Sequence, residues 1–409
     1  MISRVPNFVD ALTTAPETVS DTAHAPSYQV RWTKRSNLAQ WLHKWTLWLR
    51  GRIYRRLLSW NAATVAFWIS ESPFVFAIAS TLTRLRIFDR LQSGPLTAAA
   101  LADATATDED TLLRFLRAAA TLGILDRESD GRFALSPVGR QFLSDSPNPV
   151  SAWTELMDRQ VVAGIPRLVE CLKRGEPPSK VIHGKTCWEV MADDPGCTEL
   201  HDIACGGWGE LIVDRVAEAY DFTNVKTVID VGGGRGAFLS AMLRAAPHLR
   251  GRVYDRETTH EPAQKMFEKH GVTDRAAHEC GNFFESVPAG ADLYTIKHVL
   301  HDWDDEHAEL ILRNIRAAVP AHGKLLIVEG SVDHNLLPAP SVLAIWDVTQ
   351  FGITWGKSRT LEEFSALAER ADFRLANVFV TETIDGLILE CEPIQRPRWE
   401  QPESVSVGA

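Results

Sequence analysis

From residue 226 onward, short apolar runs alternate with stretches whose apolar residues recur every three or four positions. Residues 227–231, 252–255, 292–297 and 324–329 predict buried strands; 238–246, 261–270, 304–319 and 361–371 predict the helices between them. That alternation is the pattern of an α/β fold with a doubly wound, mainly parallel sheet. Residues 374–380 and 387–391 follow as two strands around Asp385-Gly386, so an antiparallel hairpin closes the sheet. Upstream the periodicity changes. Residues 74–88, 97–103 and 108–122 have helical spacing, while 124–126 and 132–135 are short strands on either side of Asp130-Gly131. They predict a mostly helical, winged-helix domain over residues 71–150. Residues 151–220 read as a helical linker and pocket region, 221–395 as the sheet domain, and 396–409 as a C-terminal tail.

The first 70 residues divide in two. Residues 1–30, rich in Ser, Thr, Pro and Ala without periodicity, predict a disordered tail. Residues 31–70 carry no acid between Asp21 and Glu71, and Leu38, Trp41, Leu42, Trp45, Leu49 and Ile53 recur at helical spacing. This basic, Trp-rich extension packs on a partner subunit or lies on a membrane surface through residues 31–60, and composition leaves both open.

Composition narrows the function classes. With 409 residues, 45% hydrophobic and 23% charged, the chain has room for a two-domain enzyme. A net charge of -10 argues against a nucleic-acid partner, as do Asp108, Glu109 and Asp110 at the start of the helix that would enter a groove. Six cysteines without a C-x-x-C pair suggest neither a zinc site nor a disulfide framework, and fit a reduced cytoplasm. The N-terminus has no apolar signal region, and no uncharged apolar run approaches the roughly 20 residues of a membrane span.

Two stretches carry chemistry. Asp230-Val-Gly232-Gly233-Gly234-Arg-Gly236 follows a buried strand and opens a helix, where glycines let backbone approach a ligand. Gly232, Gly234 and Ala237 also fit a dinucleotide fingerprint, and Asp255 ends the next strand in reach of ribose hydroxyls in either reading. Charge separates the two. Asp230 would repel a pyrophosphate but attract an ammonium or sulfonium, which favours S-adenosylmethionine over NAD. The second stretch is Lys297-His298-Val-Leu-His301-Asp302-Trp303, after the fourth strand. His301 suits the removal of a hydroxyl proton, and Glu329, ending the following strand, is placed to fix its tautomer. His298 and His301 as metal ligands would lack a third, so no metal is expected.

With these pieces placed, residues 72–393 resemble small-molecule O-methyltransferases of the plant and bacterial type that carry an N-terminal dimerisation domain. The resemblance rests on Arg86-Ile-Phe-Asp89, Leu113-Arg-Phe-Leu-Arg117 with Leu122-Gly-Ile124, the Gly131 to Gly139 stretch, the glycine loop, His301-Asp302-Trp303 and Arg359-Thr360. It implies a seven-stranded methyltransferase sheet, an interlocked homodimer, and methyl transfer from S-adenosylmethionine to a hydroxyl of a hydrophobic phenol or polyene. It implies His301 as base with Glu329 and Asp302 beside it. The cofactor contacts it implies are Asp230, Gly232, Gly234, Gly236, Asp255, Asn282, Phe283, Lys297 and Trp303. Trp346, Asp347 and Gln350 fall on its acceptor side. Three positions depart from the family pattern: Asn282 replaces an Asp, Ser358 a Glu and Gln350 a Met. The last two touch the acceptor side and keep a cofactor-binding pericyclase or lyase in view.

Overall fold

The computed structural model describes residues 28–32, 62–332, 343–354, 356–381, 383 and 386–395. The helix expected across residues 38–53 and the tail at 396–409 lie outside them.

Ten strands are described. β1 (Gln29–Trp32), β4 (Thr227–Val231), β5 (Arg250–Asp255), β6 (Ala276–Cys280), β7 (Leu293–Lys297), β8 (Lys324–Glu329), β9 (Phe373–Val380) and β10 (Leu387–Pro393) form one sheet, ordered β1-β9-β10-β8-β7-β4-β5-β6. β6, β5, β4, β7 and β8 run parallel, and β10 is antiparallel to both β8 and β9. Apolar residues pack both faces. One cluster joins the sheet to helices Asp305–Ala318 and Leu361–Arg370, the other to helices Ala237–Ala245 and His260–His270.

Two strands carry little sequence signal. β6 is an edge strand whose alternating, half-wet side chains (Ala-Ala-His-Glu-Cys) form no apolar run. β1 adds an eighth strand to the seven of the expected sheet. It spans the boundary drawn between a tail ending at residue 30 and a helical extension, and it pairs in parallel with residues 377–380. Four residues are too few for periodicity to register, and the stabilising partner lies almost 350 residues away; Arg31 also stacks over Phe379, 6.0 Å from the ring centroid.

The N-terminal region opens with helix Ala62–Arg84, which runs through the boundary expected at residue 70. It stops short of the expected residue 88 because Arg86 takes a left-handed φ of 55°. Phe67, Trp68, Ile69 and Phe74 are exposed on it, and only its last turns are buried. By length and composition it is long and apolar enough to cross a membrane, although Glu71 interrupts its uncharged run. Helix Glu109–Thr121 is capped by Asp108, whose carboxylate accepts from the Thr111 amide at 2.8 Å. Glu109 and Asp110 occupy its first turn, where the helix dipole favours acids. The acidic triplet thus has a folding role. β2 (Leu125–Arg127) and β3 (Phe133–Leu135) follow as an antiparallel hairpin. Short helices fill residues 150–218, as expected, and Leu156, Met157, Cys187, Met191 and Cys197 make a small core there with Ile353.

Candidate active site

The chain runs β4-β5-β6 toward one edge of the sheet, then returns to β7 and β8 on the other side of β4. Ligands of open α/β sheets bind at such a reversal, beyond the C-terminal strand ends. Both stretches singled out in the sequence lie there, the glycine loop after β4 and the histidine box after β7.

Strand register sets the acid of the glycine loop. Asp230 on β4 pairs with Thr295 on β7, whose hydroxyl donates to Asp230 Oδ1 at 2.6 Å. Its Oδ2 is fully buried without a partner. Burial therefore raises the carboxyl to about 6, against the opposing effects of Thr295 and Lys297. An orphaned carboxylate oxygen beneath the glycine loop, packed against Gly233, is a place for a cation. Gly232 holds φ at 67°, and a Cβ there would come within 2.7 Å of Val299 and 3.6 Å of Phe283. The Gly234 amide donates to Asp255 Oδ2 at 2.8 Å, tying the loop to the end of β5. Lys297 lies against helix Pro195–Glu210, its Nζ 2.9 Å from where a Gly209 Cβ would stand. Asp230, Gly232, Gly234, Asp255, Phe283 and Lys297 are thus brought together. Gly236 turns the chain into helix Ala237–Ala245 with φ 75°, against Phe267 and away from the crevice. Asn282 sits further out. Its amide oxygen accepts from Phe284 N at 3.0 Å and its amide group donates to Glu285.

The histidine box is held from below. His301 Nδ1 lies 2.7 Å from Glu329 Oε2, while Glu329 Oε1 accepts from the amides of Val299 and His301 at 3.2 and 3.3 Å. Burial opposes charge on the imidazole, but Glu329 and Asp302 outweigh it and raise His301 to about 9. Burial likewise opposes charge on Glu329, and the His301 imidazolium holds it below the usual carboxylate range. Nε2 of His301 is 3.6 Å from Asp302 Oδ1, too far for a hydrogen bond and close enough to stabilise a proton there. Asp302 is half-buried, and loss of solvent raises its carboxyl, in part offset by His301 and His201.

Arg359 locks this loop. Fully buried, it donates to the carbonyls of Leu300, Trp303 and Lys357 and pairs with Asp305 at 2.8 Å. Gly356 packs so tightly on the His301 carbonyl that a Cβ would overlap it. The Arg359-Thr360 motif is therefore a brace for His301.

On the acceptor side, Gln350 donates to Asp302 at 3.2 Å. Trp346, one turn earlier on helix Leu343–Ile353, stacks on Trp153 with centroids 5.0 Å apart. Asp347 is occupied elsewhere, accepting from Ser358 N at 2.7 Å. Trp303 stacks on Trp188 at 5.8 Å, and Trp188 meets the edge of His201 at 5.3 Å. Burial opposes charge on His201, but Asp202, Cys205 and Asp302 raise it to about 10. Trp153, Trp188 and His201 were not singled out in the sequence. They sit on helices of the 150–210 region whose aromatic positions carry no spacing signal; only tertiary packing brings them to the histidine box.

This geometry is matched by known proteins. The O-methyltransferase domain model matches residues 167–374, and the O-methyltransferase dimerisation domain model matches residues 73–145. The chain belongs to the S-adenosylmethionine-dependent O-methyltransferases. A mitomycin biosynthesis 6-O-methyltransferase of Streptomyces lavendulae is 37% identical over 298 residues, 71% of this chain and 83% of that protein. An O-methyltransferase from neocarzinostatin biosynthesis, solved with S-adenosyl-L-homocysteine and 1,4-dihydroxy-2-naphthoic acid, is similar at TM-score 0.69 and 29% identity, covering 78% of this chain and 96% of that one. An aclacinomycin 10-hydroxylase of Streptomyces purpurascens is 30% identical over 311 residues, 75% of this chain and 82% of its own. In this O-methyltransferase the orphaned Asp230 oxygen, the Gly232 approach and Asp255 fit a cationic nucleoside, as the charge argument from sequence expected. The match over 73–145 takes in the second half of the exposed apolar helix Ala62–Arg84.

Proposed function

We propose that this O-methyltransferase methylates a hydroxyl of a planar, hydrophobic aromatic metabolite in secondary metabolism, with His301 as general base. The observation that carries this reading is the pairing of half-buried His301 with buried Glu329, 2.7 Å apart, with Nε2 turned away from that carboxylate. Glu329 accepts the Nδ1–H hydrogen bond, so that once the imidazole is neutral, above about 9 in the empty protein, its Nε2 lone pair is left for the acceptor hydroxyl. As the oxygen attacks, Nε2 takes its proton, and Glu329 and Asp302 stabilise the imidazolium that forms. Trp303 and Trp188, stacked beside His301, supply a flat apolar wall that suits an aromatic ring and excludes water. Asp230, Asp255, Gly232, Phe283 and Lys297 would hold S-adenosylmethionine, which supplies the electrophilic methyl group when bound.

The naphthoic acid bound to the neocarzinostatin-pathway relative makes hydroxynaphthoates the first acceptors to assay. Incubation with methyl-labelled S-adenosylmethionine and a panel of hydroxylated bicyclic and tricyclic aromatics should yield one labelled ether. Transfer confined to aliphatic alcohols or amines would overturn the acceptor class. A second reading, in which the fold binds the cofactor without transferring its methyl, is favoured by the hydroxylase relative and by Gln350 on Asp302. Product formed without S-adenosylhomocysteine would establish it. The proposal includes a homodimer built over the exposed face of helix Ala62–Arg84 and a reducing, cytoplasmic setting for the six free cysteines.

A further inference from the structure

Away from the glycine loop and histidine box, three soft donors converge where β5 and β6 end. His260 opens helix His260–His270, and His278 and Cys280 stand two apart on β6, so their side chains leave the strand on one face. One ligand atom from each lies within 4.8 Å of the others, and among the described residues this is the compact His/Cys/carboxylate cluster of that kind. His278 Nδ1 is 3.6 Å from Cys280 Sγ. Two ligands on one tetrahedral zinc, with bonds of about 2.05 Å to nitrogen and about 2.3 Å to sulfur, stand about 3.6 Å apart.

The tautomer of His278 is also set. The Thr259 hydroxyl spends its one hydrogen on the Arg256 carbonyl at 2.8 Å, so at 2.9 Å from His278 Nε2 it can only accept. Nε2 therefore carries the proton, and the Nδ1 lone pair points toward Cys280. Metal-binding imidazoles are held in this way, the far N–H given to a fixed acceptor. The register β5–β6 sets Cys280 directly beside Asp255. Methyl transfer uses none of the three donors.

We propose that His260, His278 and Cys280 bind a zinc ion, with water as the fourth ligand, closing the loop after β5 onto β6. One thiolate and two imidazoles select a borderline-soft cation over calcium or magnesium, which take oxygen ligands. Binding forms three protein–zinc bonds in place of three of the ion's waters, and the thiol proton of Cys280 leaves to solvent. The bound ion would brace residues 256–259, immediately beyond the Asp255 carboxylate that ties down Gly234. No zinc spacing was legible in the sequence because the ligands come from a helix start and an edge strand 18 residues apart.

The test uses the full-length protein, reduced and stripped with a chelator. Cobalt(II) serves as spectroscopic probe, and zinc competes against a chromophoric chelator. One equivalent of cobalt should give the thiolate charge-transfer and visible bands of a tetrahedral site, displaced by one equivalent of zinc with proton release. Cys280 is exposed, so Cys280→Ser should fold, lose the charge-transfer band and bind zinc more weakly than a variant lacking only an orienting partner. Thr259→Val removes that orienting hydroxyl and should weaken zinc by about 10–100-fold. Melting of each metal-free variant reports its fold separately. Uptake below one equivalent, or zinc affinity and cobalt spectra unchanged in Cys280→Ser, would overturn the site.

Discussion

Replacing Glu329 by Gln should separate the two things its carboxylate does for His301. The side chain is buried and nearly isosteric with glutamine, so the amide oxygen can keep accepting from Val299 and His301 N. The amide NH2 then faces Nδ1 across the 2.7 Å contact and turns it into an acceptor. The ring proton moves to Nε2, where the acceptor hydroxyl needs a lone pair. General-base catalysis contributes about 10²–10⁴-fold, and kcat should fall by that factor. Charge is the second loss. His301 lies at about 9 rather than its ordinary 6.5, which at about 1.4 kcal/mol per pH unit is roughly 3 kcal/mol of ion-pair energy. Its folded value is raised, so this stability is complete below about 6.5 and is lost as pH rises through about 9. The Glu329 value is lowered, so its share is lost as pH falls through the acid range. Stopped assays of kcat/KM against pH in the free enzyme should show an ascending limb near 9 that moves by two or more pH units toward acid in Glu329→Gln. Calorimetric cofactor affinity should stay within about threefold, since Glu329 does not line the cofactor crevice. A limb that stays in place, or a kcat within about threefold of wild type, would refute the reasoning.

Two further variants test the supports of the site. Asp230 carries a raised carboxyl at about 6, so its ionisation costs stability in the empty protein, a cost absent below 3.8 and complete above about 6. Asp230→Asn should therefore stabilise the cofactor-free protein at pH 8 by about 3 kcal/mol and not at pH 4, while weakening S-adenosylmethionine by roughly 10–100-fold; denaturant melts and calorimetry read both, and unchanged affinity would contradict its role. Arg359→Ala leaves Asp305 and three carbonyls without their donor and should cost about 3–5 kcal/mol in a denaturant melt; a loss under about 1 kcal/mol would show that the brace is not structural.

The parts legible in the sequence are those where local pattern and chemistry coincide. β4 is an apolar run with Asp230 next to its end, and β7 and β8 are apolar runs that end on Lys297 and Glu329, so strand prediction and site prediction reinforced each other. The capping of helix Glu109–Thr121 was visible as an acidic triplet, although read first as a charge argument. What stayed hidden depends on long-range contact. β1 is strand because of residues 377–380. Asp347, on the acceptor side in the resemblance, also holds the Ser358 amide, a contact that no local pattern shows. Arg359 was noticed as a motif, but its function as the brace under His301 is visible only once residues 300–305 are folded around it. Asn282 uses its amide oxygen on its own turn, accepting from Phe284 N, a contact that the sequence pattern does not show.

His301→Ala is the most direct test of methyl transfer by a histidine base. Single-turnover chemistry with CD3-labelled S-adenosylmethionine and a hydroxylated aromatic acceptor, followed by mass spectrometry, measures transfer apart from binding. Wild type should form the CD3 ether and S-adenosylhomocysteine in equal amounts, and His301→Ala should slow that step by about 10²–10⁴-fold with cofactor affinity unchanged. An alanine variant that transfers the label at the wild-type rate, or a wild-type product without the label, would contradict the account.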